Sequence, residues 1–132
     1  MLKVYIAAPF QLKSEAVVLL ALLQGAGYEV TSTWLRVTDM PDTDQAARLD
    51  LADIDRSDVL VAMNPHGWES KGTGGRHGEF LYAHAKGKEL ILLGVRSNVF
   101  HHLSNVRLAG CRAEVLVLLV RLWAERRAAV GA

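Results

Sequence analysis

Apolar residues fall in short, nearly unbroken runs along this chain, separated by stretches of helical spacing and by glycine- and proline-marked turns. Residues 2–7 (Leu-Lys-Val-Tyr-Ile-Ala) are apolar at nearly every position, which predicts a strand covered on both faces. Ala8-Pro9-Phe10 ends it, and Ser14 reads as the cap of a helix over 15–24 that Gly25 and Gly27 close. The β-rich residues 28–34 predict a second strand, with loop over 35–40. Pro41-Asp42-Thr43-Asp44 signals a second helix reaching about residue 56. A third strand over 58–63, a third helix over 76–86 and a fourth strand over 89–94 follow. A loop with a helical turn over 95–105, a short strand over 106–109 and a terminal helix over 113–129 complete the pattern. Strands alternating with helices at this spacing predict right-handed βαβ units, and so one α/β domain, residues 1–132, on a five-stranded parallel sheet with helices on both faces.

In such a sheet a ligand binds beyond the carboxyl ends of the strands. That rule collects the loops at 7–11, 34–39, 64–79 and 95–105. The third holds Gly72-Thr73-Gly74-Gly75-Arg76-His77-Gly78-Glu79, a glycine-rich turn entering a helix, whose unpaired backbone N–H groups attract anions. Glu79 is expected in the first helical turn, where the helix dipole keeps a carboxylate ionised. There it is a candidate nucleophile or base, although a glutamate at that place also simply favours a helix start.

Composition narrows the chemistry. Apolar residues make up 51% and charged residues 22% of the 132, the balance of a folded globular protein. Net charge is +1, from 15 basic and 14 acidic residues, so no attraction to a nucleic-acid polymer or a membrane is implied. The basic cluster at 121–127 reads as the solvated face of the last helix. The longest apolar run, 115–120, is too short to span a bilayer. One cysteine, Cys111, permits no internal disulfide; with a strand pattern beginning at residue 2 in place of a secretory leader, a cytoplasmic protein is expected.

The turn after the first strand lacks glycine and the 72–79 turn lacks the third glycine of a dinucleotide fingerprint, nor does it end in Gly-Lys-Ser/Thr like a phosphate-binding loop of nucleotide hydrolases. The five histidines stand at no recognised ligand spacing. No cofactor and no metal are therefore expected. Among the acids, Asp53 and Asp55 are expected to face solvent and Asp58 to serve a turn. Asp50 stands where a helix aims one residue over the strand ends towards Glu79, and two carboxylates converging on one pocket suit cleavage at an acetal-like carbon.

Tyr5-Ile-Ala-Ala-Pro9, the segment from Asp50 through Asp58-Val-Leu-Val-Ala, the segment Gly72 through Glu79-Phe-Leu-Tyr-Ala, Gly87-Lys-Glu-Leu-Ile-Leu-Leu-Gly94 and Asn98-Val-Phe-His101 occur in an order that resembles the nucleoside 2-deoxyribosyltransferases. The resemblance covers about residues 2–109, is nearest to the short members, and extends to the related deoxynucleoside 5′-monophosphate N-glycosidases. It implies a flavodoxin-like three-layer fold, assembled as homo-oligomers, whose small-molecule substrates are nucleosides or nucleotides and nucleobases. It further implies that Glu79 is the nucleophile forming a deoxyribosyl ester, that Tyr5 orients it, and that Asp50 serves the departing base. A second base or water then takes the sugar. The transferases often carry an aspartate six positions before the nucleophile; here Thr73 stands there, and a hydroxyl residue at that place contacts the 5′-phosphate in the monophosphate glycosidases. Thr73, Gly74, Gly75 and Arg76 suit a phosphate. Pro9 lies at the first loop, Phe10 and Trp34 suit either stacking on a base or packing, and His101 and Asn105 lie where the family sends residues into a neighbouring subunit's pocket. Trp68 reads as part of a lid and Trp123 as core or interface. Two further readings stand beside the enzymatic one: a nucleotide-binding module without catalysis, and a partner-binding domain of the same fold.

Overall fold

The computed structural model describes residues 1–38 and 41–131. The expected loop over 35–40 therefore ends in two residues, Asp39 and Met40, that lie outside the described residues.

Five strands, β1 (Lys3–Ala7), β2 (Glu29–Val30), β3 (Val59–Asn64), β4 (Glu89–Gly94) and β5 (Val106–Ala109), form one parallel sheet in the order β2-β1-β3-β4-β5. This is the flavodoxin-like order, whose direction of winding reverses between β1 and β3 and opens a crevice at their carboxyl ends. Alternation along the central strands sorts the core. Val4, Ile6, Val59, Val61, Ile91 and Leu93 face α1 (Lys13–Gly25) and α4 (Arg112–Gly131). Tyr5, Ala7, Leu60, Ala62, Leu90 and Leu92 face the layer of α2 (Asp44–Asp55) and α3 (Gly75–Ala85). The first strand thus turns Tyr5 towards the helix that carries Glu79. Trp123 packs half-buried against the α1/α4 core.

Two expectations need correction. The second strand does not run over 28–34. Thr31 still donates its N–H to Val4 O at 2.8 Å, but at the next position the Ser32 hydroxyl takes over, accepting the Ile6 N–H at 2.7 Å. A side chain thus replaces the ladder, and the chain turns into a 3₁₀ turn, Thr33–Leu35. Ser14 does not cap α1. That helix starts at Lys13 directly out of a 3₁₀ turn, Phe10–Leu12, and the Ser14 hydroxyl bonds to Glu15.

At their carboxyl ends β3 and β4 leave the sheet in close contact. Gly94 has φ +129°, and a Cβ there would lie 2.0 Å from Asn64 O. The close approach lets Val95 donate its N–H to Asn64 O at 2.9 Å. Gly94→Ala is expected to lower the free energy of unfolding by about 3 kcal/mol or more, read as a fall in the denaturant midpoint.

Candidate active site

Gly74, at φ +88°, takes the left-handed conformation that turns the chain into α3. The helix begins at Gly75, so Glu79 occupies its second turn, not the expected first. The dipole therefore does not govern this carboxyl. Burial pushes its pKa up to about 8, the Tyr5 hydrogen bond pulls it down and Asp50 adds to the rise. The Tyr5 hydroxyl, itself fully buried, donates to Glu79 Oε2. Burial, then the Glu79 carboxyl, hold the Tyr5 pKa well above its usual value, so Tyr5 keeps its proton and stays a donor.

Asp50 reaches the same space from α2. It is half-buried, its Oδ1 is buried without a hydrogen-bond partner, and its pKa is pushed up to about 6, chiefly by burial and next by Asp53. Glu79 and Asp50 line one cleft of about 490 Å³, within the range of small-molecule sites. Ala8, Pro9 and Phe10 after β1, Trp34, the start of α2, and Thr73 to Arg76 before α3 complete its walls. Trp34 is held in place, its indole N–H donating to Ile6 O at 3.0 Å. Phe10 stands at the mouth, 62% exposed, with the Lys13 ammonium 5.9 Å from its ring centre.

Three of the four expected loops meet at the cleft, and 95–105 does not. His101 is 1% exposed: its Nδ1 accepts the Ser97 N–H at 3.0 Å and its ring meets Phe80 edge-on at 5.2 Å. Burial pushes its pKa down to about 4. It is therefore an internal brace of its own subunit and is not available to a neighbour's pocket, which corrects that expectation. Asn105 is exposed and lines no part of the cleft. Arg76 lines the cleft but is 3% exposed, and its guanidinium donates to Lys71 O at 2.9 Å, Trp68 O at 2.8 Å and Asn64 Oδ1 at 3.1 Å. Its terminal nitrogens fix the loop that carries Thr73, Gly74 and Gly75 on the cleft wall, while its Nε is buried without a hydrogen-bond partner. Trp68 belongs to that tethered loop through its carbonyl.

The sequence reading missed Asp53. Expected at the surface, it is fully buried; Oδ2 accepts the Thr33 N–H at 2.9 Å and Oδ1 accepts from Arg56. No sequence signal separates it from Asp55. Among the described residues no three His, Cys, Asp or Glu side chains gather as metal ligands, and no helix is long and apolar enough to cross a membrane.

No protein-family model and no curated protein sequence matches the chain. Solved structures do. The CMP N-glycosidase BcmB of Clostridium botulinum shares 27% identity with it, over 89% of this chain and 97% of that one, at a TM-score of 0.61. A 2-deoxyribosyltransferase from Bacillus psychrosaccharolyticus shares 16% over 86% and 89%, at 0.64. The Leishmania mexicana enzyme of that name shares 19% over 73% and 66%, at 0.57. At their identities the last two bear on the fold alone.

Proposed function

We propose that the chain, 27% identical to the CMP N-glycosidase BcmB, is an enzyme of the nucleoside 2-deoxyribosyltransferase superfamily and cleaves the N-glycosidic bond of a nucleoside 5′-monophosphate through a covalent ester on Glu79. The observation that carries the proposal is a buried carboxyl, hydrogen-bonded by Tyr5, sharing one cleft with a second carboxyl on the facing helix. Glu79 attacks the anomeric carbon as its bond to the base nitrogen breaks; the electron pair leaves with the base, which takes a proton from Asp50. The developing oxocarbenium charge is stabilised by the same carboxylate. Water then attacks that carbon, Asp50 accepts its proton, and the ester bond breaks to release sugar phosphate and free Glu79. Two displacements retain configuration. When a second base replaces water, the outcome is base exchange.

Thr73 and the N–H groups of Gly74 and Gly75 support the monophosphate over the free nucleoside, as does the CMP named for the 27%-identical neighbour. That neighbour's substrate carries ribose, so ribose stands beside deoxyribose in the test. Chromatography of reactions with ribo- and deoxynucleotides, nucleosides and acceptor base separates hydrolysis from exchange. Absence of base release, or equal release by Glu79→Ala, overturns the proposal. Monophosphates are expected to exceed nucleosides in kcat/KM by about 10–100-fold, the worth of charge-assisted phosphate contacts. Thr73→Asp is expected to remove that advantage by repelling the phosphate while sparing the nucleoside.

A further inference from the structure

Helix α2 is weakly seated for an element that must hold an acid in place. Its buried residues are Asp53 and Ile54, and its leucines, Leu49 and Leu51, lie partly at the surface. Asp53 joins it to the body. Its Oδ2 accepts the Thr33 N–H at 2.9 Å, its Oδ1 accepts from Arg56, and its backbone carbonyl accepts the Thr31 hydroxyl at 2.9 Å. The segment it grips carries Trp34, whose indole N–H donates to Ile6 O, the residue after Tyr5. A continuous line of contacts thus runs from the helix of Asp50 through Asp53, Thr33, Trp34 and Ile6 to Tyr5 and Glu79.

We propose that Asp53 is the positioning residue that sets the acid Asp50 and the aromatic wall Trp34 against the Tyr5–Glu79 pair. This rests on the glycosidic reading above. Asp53 stands one helical turn beyond Asp50 and points into the body while Asp50 lines the cleft, so its grip fixes how far α2 stands from β1. A buried carboxylate that accepts the Thr33 N–H from the segment after β2, and is held by Arg56 at the end of its own helix, fixes geometry that apolar packing of this helix does not supply.

The test compares leaving groups. A base already alkylated at ring nitrogen N7, as in 7-methylguanosine 5′-monophosphate, departs neutral and needs no acid, whereas guanosine 5′-monophosphate does need one. Asp53→Ala is expected to lose about 10²-fold in kcat/KM, which reads the base-expelling step alone, on the ordinary nucleotide, and no more than about 3-fold on the alkylated one, following Asp50→Asn. In the Asp50→Asn background, Asp53→Ala should add little, because both act through one group. Asp53→Asn, which keeps an oxygen for the Thr33 N–H, should fall between wild type and Asp53→Ala, and it carries the test where the alanine variant fails to fold. Equal losses on both nucleotides, additive losses in the double variant, or no loss overturn the positioning role. Failure of the wild type to release base from any nucleotide overturns instead the reading on which it rests.

Discussion

Glu79→Gln is expected to abolish turnover, by about 10⁴-fold or more in kcat, while making the protein more stable at pH 8 than the wild type. The amide has no carboxylate oxygen with which to form the ester, but it keeps an acceptor for the Tyr5 hydroxyl. The gain in stability follows from linkage. The Glu79 pKa is raised from 4.5 in the ordinary state to about 8 in the fold. Below pH 4.5 folded and unfolded chains both hold the proton. Between 4.5 and 8 the folded chain holds it and the unfolded chain has lost it, so stability falls as pH rises, and above 8 the loss is complete. Glutamine is free of this dependence. The full shift is worth more, but Glu79 is partly open to the cleft and its water, so an advantage of about 2 kcal/mol at pH 8 is expected, vanishing near pH 4. Thermal or denaturant unfolding of both proteins across that range reads it. A glutamine variant no more stable at pH 8 than at pH 4, relative to wild type, contradicts a carboxyl whose burial outweighs its hydrogen bond from Tyr5. The Glu79 carboxyl is then a local cost to the fold, as expected of the nucleophile proposed above.

The parts of this arrangement that were legible in the amino-acid order are those that follow from period and punctuation. The apolar runs of β3 and β4, the Pro41-Asp42-Thr43-Asp44 start of α2 (where Thr43 caps the helix, accepting the Ala46 N–H at 3.1 Å) and the Gly-rich entry to α3 each announce themselves locally. Asp50 and Glu79 were legible because the sheet's topology brings loops from different strands to one end. What escaped depended on side chains replacing backbone or apolar partners. Ser32 takes the place of a strand residue in bonding to Ile6, so the second strand is shorter than its β-branched sequence suggests. Asp53 occupies the buried stripe of α2 while neighbouring leucines stand partly outside, which inverts the hydrophobic pattern from which burial is read. Arg76 shows the same limit from the other side. A basic residue in a glycine-rich loop suggests an anion partner; three oxygens of the protein receive N–H groups from its terminal nitrogens, and only its Nε is left without one.

The pH dependence of kcat/KM is expected to be bell-shaped, with limbs near pH 6 and 8 and a maximum near 7. The limbs belong to Asp50, whose pKa is pushed up to about 6, and Glu79, whose pKa is pushed up to about 8. Between them the site holds one proton, resting on Glu79, whereas the reaction needs it on Asp50 with Glu79 ionised. Both forms hold the same number of protons, so their ratio does not change with pH, and the rate follows the singly protonated population. The separation, 8 less 6, leaves about one free molecule in 10² in the productive form, a deficit offset as positive charge develops on the sugar beside Glu79. Asp50→Asn separates the two limbs. With no acid left to lose, the fall above pH 8 should disappear and the rate should level off on the alkaline side. The remaining rise belongs to Glu79 alone and should move below pH 8, because the Asp50 charge that helps raise its pKa is gone. The plateau should stand about 10²–10⁴-fold below the wild-type maximum for a base that needs protonation. If the variant kept the alkaline fall, or the wild type rose without a maximum, Asp50 would not be the group that delivers the proton, and the two carboxyls would not share one.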